Sequence, residues 1–139
     1  MNRRDCLSLL AIGGITSLSG CSSLESFGQK MELQYIQLEN HDPKLRSFDL
    51  LMISNGKIMH WNTYSLKGTD EVDGIDQKTI QGKWPEKLES FTLYVRIDRN
   101  TNWTEFSTEK KKIDAACFGL IPTLNPDDEL IIDRGTCKQ

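Results

Sequence analysis

Residues 31–139 predict an all-β fold, a small antiparallel sandwich, on three observations. Short apolar runs alternate with polar residues at period two. Turn dipeptides separate those runs at the spacing of neighbouring antiparallel strands. No stretch carries the three-to-four-residue apolar period of an amphipathic helix. The first run, 31–38, leads into the turn residues Asn40-His41-Asp42-Pro43. Residues 48–53 are apolar on both parities, which predicts a central strand. Asn55-Gly56 follows, the strongest two-residue hairpin signal in the chain, and 57–66 is its partner strand. The acid-rich stretch 68–82 reads as a loop with a weak strand at 77–80. In 91–98 the apolar residues Phe91, Leu93, Val95 and Ile97 alternate with Thr92, Arg96 and Asp98, the pattern of a half-buried strand. The chain turns through 98–102 into 103–108. Two short strands at 115–121 and 129–133 close the domain around Pro122 and the turn Asn125-Pro126-Asp127-Asp128. Seven or eight strands of this kind fit an immunoglobulin-like or cupredoxin-like topology.

The first twenty residues read as an export signal. Arg3 and Arg4 head an apolar stretch diluted by Gly13, Gly14, Thr16 and Ser17, which is shorter than the about 20 apolar residues of a spanning helix. Arg3-Arg4-Asp5-Cys6-Leu7 resembles a twin-arginine motif, with Cys6 at the place usually held by Phe. Leu18-Ser19-Gly20-Cys21 resembles a lipobox, in which the bond between Gly20 and Cys21 is cleaved and the Cys21 sulfur takes a lipid. The chain therefore divides into a signal peptide at 1–20, a lipidated Cys21 with a serine-rich tether at 21–30, and a β-sandwich at 31–139. A two-chain lipid matters physically, because each buried methylene contributes about 0.8 kcal/mol and one chain of myristoyl length holds only marginally.

Cleavage also settles the cysteine count. The chain has 4 cysteines. Cys6 leaves with the signal and Cys21 is occupied, so Cys117 and Cys137 remain as a pair for an oxidising compartment. The alternative, a pair of free thiols as metal ligands or redox centre, lacks a CxxC and any nearby histidine. On the disulfide reading the bond ties the last two strands together.

Site chemistry is sparse. A formal charge of −3 shows no basic excess for nucleic acid. No Gly-x-Ser-x-Gly is present, and the two histidines, His41 and His60, offer few ways to build a triad. A type 1 copper site needs a histidine soon after its cysteine, and none follows Cys117. Asp70, Glu71, Asp73 and Asp76, like Asp127, Asp128 and Glu129, read as solvated loop acids; the first group lacks the spacing of an EF-hand, leaving only weak calcium binding open. His60 beside Trp61 reads as an ordinary strand residue. Lys110-Lys111-Lys112 reads as a solvated turn, with a lipid-headgroup contact as the alternative. Asn102-Trp103-Thr104 is a glycosylation sequon in an expected exposed turn. Trp61, Tyr64, Trp84, Tyr94 and Trp103 form either a sugar- or peptide-binding face or core packing, and a hairpin tryptophan such as Trp61 suits the space between two sheets.

With the twin-arginine start, the lipobox, an Asn-Gly hairpin ending in the His60-Trp61-x-x-Tyr64 strand and the late cysteine pair, the chain resembles the small exported lipoproteins of haloarchaea. The resemblance implies one immunoglobulin-like sandwich on a lipid anchor, with no assigned activity. Its charge, −4 once Arg3, Arg4 and Asp5 are removed, is mild for molar salt and keeps a less saline archaeon or a bacterium open. The expectation is a non-enzymatic extracytoplasmic protein with no cofactor beyond the lipid on Cys21 and no metal. Its partners would be the membrane and an envelope protein or glycan, not nucleic acid. The alternative is a solute- or glycan-binding accessory component of a transport or adhesion system.

Overall fold

The structure, a computed structural model, describes residues 30–110 and 116–138. Arg3, Arg4, Gly20, Cys21 and most of the tether lie outside the described residues, as do Lys111 and Lys112. The described chain forms eight strands: β1 (Glu32–Asn40), β2 (Arg46–Ser54), β3 (Lys57–Leu66), β4 (Asp76–Ile80), β5 (Thr92–Ile97), β6 (Thr104–Ser107), β7 (Cys117–Leu124) and β8 (Leu130–Gly135). No helix occurs among these residues, so none is long and apolar enough to cross a membrane.

Two four-stranded sheets, ordered β4-β1-β7-β8 and β3-β2-β5-β6, make the expected sandwich. Alternation explains why they stack. Along β2, Phe48, Leu50 and Met52 are fully buried, and along β5, Leu93, Val95 and Ile97 point the same way. They meet Leu33, Ile36, Leu38, Leu120 and Leu124 from the opposite sheet. At the hairpin, Asn55 and Gly56 hold φ of 52° and 72°, the left-handed pair of a type I′ turn.

Two features depart from the expected pattern. The ladder between β1 and β7 is parallel, so one sheet is mixed, while every other strand pair is antiparallel. Pro122, expected to end its strand, lies inside β7, buried and opposite Ile132. Proline has no N–H to give. The parallel ladder pairs Ile36 with Leu120 and resumes with Glu39 and Thr123, passing over Pro122, so the missing donor falls in an interruption.

Cys117 and Cys137 form the expected disulfide, with Cα atoms 5.9 Å apart. Cys117 opens β7 and Cys137 follows β8 by two residues, so the bond closes the open end of this hairpin. Beside it the Tyr35 hydroxyl donates to the Thr136 carbonyl at 2.9 Å. The Tyr35 ring lies against Gly119, where a Cβ would come within 2.1 Å of Cζ. Only glycine fits beneath that ring. Gln34 holds the tail with two hydrogen bonds to the Lys138 backbone, at 2.7 and 2.8 Å.

Candidate functional site

The outward residues of the β3-β2-β5-β6 sheet are unlike an ordinary solvated face. With Leu50 and Met52 committed to the core, Asp49, Leu51 and Ile53 must point out; with Leu93 and Val95 inward, Tyr94 and Arg96 point out beside them. Leu51 is flanked in register by Trp61 on β3 and Tyr94 on β5, forming one transverse row. The next row runs Thr63, Asp49, Arg96. Trp103, just before β6, extends the surface: its ring stands edge-on to Tyr94 at 6.3 Å, and the Arg96 guanidinium lies 4.3 Å over it. Trp61 remains 61% exposed, with Ile58 on the same strand at 57%. Scattered apolar residues are ordinary on a surface; an aligned row of two aromatics and a leucine next to a charged row is less so.

Trp61 reaches this face because of a bulge. A regular continuation from the two-residue Asn55-Gly56 turn pairs Ser54 with Lys57 and Ile53 with Ile58, and would set Trp61 opposite Leu50, inside the sandwich. The register instead shifts after Ile53, so that Met52 pairs with His60 and Leu51 with Trp61. One extra residue inverts every later side chain of the strand. The expectation that Trp61 fills the space between the sheets is therefore corrected.

The charged row is tightly built. Asp49 is almost fully enclosed, with 4% of its side chain exposed. It accepts hydrogen bonds from Thr63 Oγ1 at 2.6 Å and Arg96 Nε at 2.7 Å. Burial pushes its carboxyl up, but the Thr63 and Arg96 hydrogen bonds and the charges of Arg96 and Arg99 outweigh this and hold it below the ordinary value near 3.8. A folded value below the unfolded one means that Asp49 contributes stability above the unfolded value, lost as pH falls through the folded one. Asp49→Asn is expected to flatten the fall in urea midpoint between about pH 5 and pH 2 relative to wild type. Parallel curves for the two proteins would contradict the ion pair.

Asp49, Trp61, Asn62, Thr63, Arg96 and Arg99 line an open cleft of about 360 Å³. Arg99 stands at its rim on a tight turn. Asp98 and Arg99 both take left-handed φ, 52° and 56°, and Asn100 N donates to Ile97 O at 2.9 Å across them. Such backbone is unusual outside Gly, Asn and Asp, and here it is held from one side: Asp98 accepts from Ser47 N at 2.9 Å and Arg46 Nε at 2.6 Å. Arg46 also reaches Asp128 at 2.7 Å, pinning the β7–β8 turn to the same end of the sandwich.

The other candidates separate cleanly. Tyr64 and Trp84 pack against the core rather than on this face, and Trp84 Nε1 donates to Leu33 O at 2.7 Å. His60 lies with them, bonded to the Tyr64 hydroxyl at 2.9 Å, its pKa lowered by burial and by Lys83. His41 pairs with Glu39 at 3.0 Å. Asn102 is exposed, with Trp103 half-buried beside it. Lys110 pairs with Glu105. Among the described residues no group of three or more His, Cys, Asp or Glu side chains is placed to hold a metal ion.

No family model matches the chain, and no curated protein does. Among solved structures, one that matches is described as a "putative cell adhesion protein" from Bacteroides ovatus, at 11% identity and a TM-score of 0.39, over 78% of this chain and 46% of that one. The present chain thus spans about half the length of that protein.

Proposed function

We propose that the protein is a lipid-anchored, extracytoplasmic binding module with no catalytic role, which presents the outer face of the β3-β2-β5-β6 sheet to a partner in the cell envelope. The observation that carries the binding reading is the row Trp61, Leu51, Tyr94: a bulge turns a tryptophan out of the core and leaves it 61% exposed beside a charged cleft. Turning an indole outward gives up apolar burial worth about 1.5–3 kcal/mol for a large side chain, a loss that a contact with a partner recovers. The anchoring reading rests on residues 1–21: the twin arginines, the short diluted apolar stretch, and Leu18-Ser19-Gly20-Cys21 ahead of a serine-rich tether. The cysteine pair closed in a disulfide accords with export, since such bonds persist outside the reducing cytosol.

Cys21→Ala is the test of the anchor. The wild-type chain is expected in the membrane fraction with its first twenty residues removed and a mass increment for the lipid on Cys21. The variant should appear without the lipid and in the detergent-free soluble fraction. A variant still membrane-bound and differing in mass from wild type only by the exchanged side chain would sink the lipoprotein reading. For the binding role, envelope fragments from the source organism should retain the wild-type chain and lose Trp61→Ala. Equal retention would remove the face from consideration.

A further inference from the structure

Resting on that reading of the face, we infer that its ligand is an acidic saccharide, a glycan bearing uronate-type carboxylates, with a sugar ring stacked on Trp61 and a carboxylate held at the arginine-lined end of the cleft. The shape argument comes from the rows. Trp61 and Tyr94 flank Leu51 on adjacent strands, so they stand two inter-strand spacings apart, about 9–10 Å, with nothing taller than a leucine between them. That is a shallow apolar floor about as long as a disaccharide unit. A pyranose offers a flat face of C–H bonds to the electron-rich face of an indole and keeps its hydroxyls at the rim, where Asn62 and Thr63 supply polar groups.

Charge selects among saccharides. The whole chain is acidic, at −3, and so has no general attraction for polyanions. The cleft is the exception. It contains two guanidinium groups and one carboxylate, and that carboxylate is already spent on Arg96 Nε and Thr63. Arg96 is fixed by Asp49 on one side and by the Trp103 ring beneath it. No ion pair with a described residue ties Arg99, which the Asp98 turn holds at the rim. A guanidinium fork suits a planar carboxylate, which it can hold through two parallel hydrogen bonds. Asp49 therefore acts as a positioning residue, neutralising half of the local cation and orienting Arg96, and Arg99 supplies the unspent charge.

The test is affinity electrophoresis of the processed chain, residues 21–139, through native gels containing polygalacturonate, the same polymer with its carboxyls reduced to alcohols, or poly-glutamate. Retardation by polygalacturonate alone is expected, weakening as salt is raised. Trp61→Ala and Arg99→Gln should each weaken it about tenfold, the loss of one stacked ring or one charged hydrogen bond. Both side chains lie outside the core, so their replacement leaves the fold in place, and an unchanged urea midpoint checks this. Equal retardation by the native and reduced polymers, abolished by Trp61→Ala, would overturn the acidic class while leaving the binding face standing. Equal retardation by poly-glutamate would overturn the saccharide class. No retardation by any polymer would overturn the inference, and the envelope-binding comparison of wild type and Trp61→Ala then decides the broader reading.

Discussion

Asn40→Asp is expected to destabilise the protein by about 3–5 kcal/mol at neutral pH, comparable to leaving an uncompensated charge in a protein interior. Asn40 ends β1 and is fully buried. Its Nδ2 donates towards three carbonyl oxygens, those of Lys44 at 3.0 Å and of Leu66 and Lys67 at 3.1 Å, and its Oδ1 accepts from Asp42 N at 3.0 Å. One amide thereby joins the end of β1 in one sheet to the end of β3 in the other and shapes the loop between β1 and β2. Three acceptors on one side leave no choice about which way the amide faces. A carboxylate there would set an anion against three carbonyl dipoles and remove the donor they share. Because the protonated acid could still donate one hydrogen bond, the folded state would favour the neutral form and raise its pKa. The deficit should therefore be smallest below the unfolded carboxylate value and grow as pH rises. Urea unfolding at about pH 4 and pH 7 measures it; a wild-type midpoint at neutral pH would contradict the network.

Losing the disulfide is expected to cost about 3 kcal/mol, from the loop-closure entropy of residues 20 apart in sequence, whether by reduction or by changing Cys117 and Cys137 to Ser. The effect should be local as well as global. Strand β8 is an edge strand in which Ile131, Asp133 and Arg134 are exposed and no residue is fully buried, and it adds only Leu130 and Ile132 to the rim of the core. With so little burial, β8 depends on the bond and on the Tyr35 contacts next to it. Amide exchange in the reduced protein should rise first in β8 and the 136–138 tail, before β2 or β5. Uniform loss of protection would show that β8 is no weaker than the rest. Two reactive thiols in denatured, unreduced protein would show that the bond is absent.

Much of the fold is legible in the order of residues. The hairpin from β2 to β3 follows from Asn55-Gly56 because few residues other than Asn and Gly accept two consecutive left-handed conformations at low cost. β5 follows from strict alternation at 91–97, and the disulfide from the small number of cysteines that the export reading leaves to pair. Strand ends are less legible. Pro122 reads as a terminator, and only its place in an interrupted ladder shows how β7 continues to Leu124. The parallel pairing of β1 and β7 leaves no local trace, since it joins residues more than eighty positions apart.

The candidate site divides in the same way. Its members are visible only in part: the aromatics stand out in the sequence, whereas Asp49 is one polar residue in a run, 48–53, that otherwise reads as a central apolar strand. Their assembly is not visible. Asp49 and Arg96 meet across 47 residues, and Trp61 changes sides through a single unpaired position. The β class, the Asn-Gly hairpin, the alternating strands and the pairing of Cys117 with Cys137 can all be read from the order of residues, because they rest on local backbone preference, on parity and on counting. Which face Trp61 occupies and which charges surround it depend on strand pairing across the sheet. Side-chain direction in a strand has a period of two, so one bulge reverses it, and the bulge is a property of how β3 pairs with β2 rather than of the residues of β3 alone.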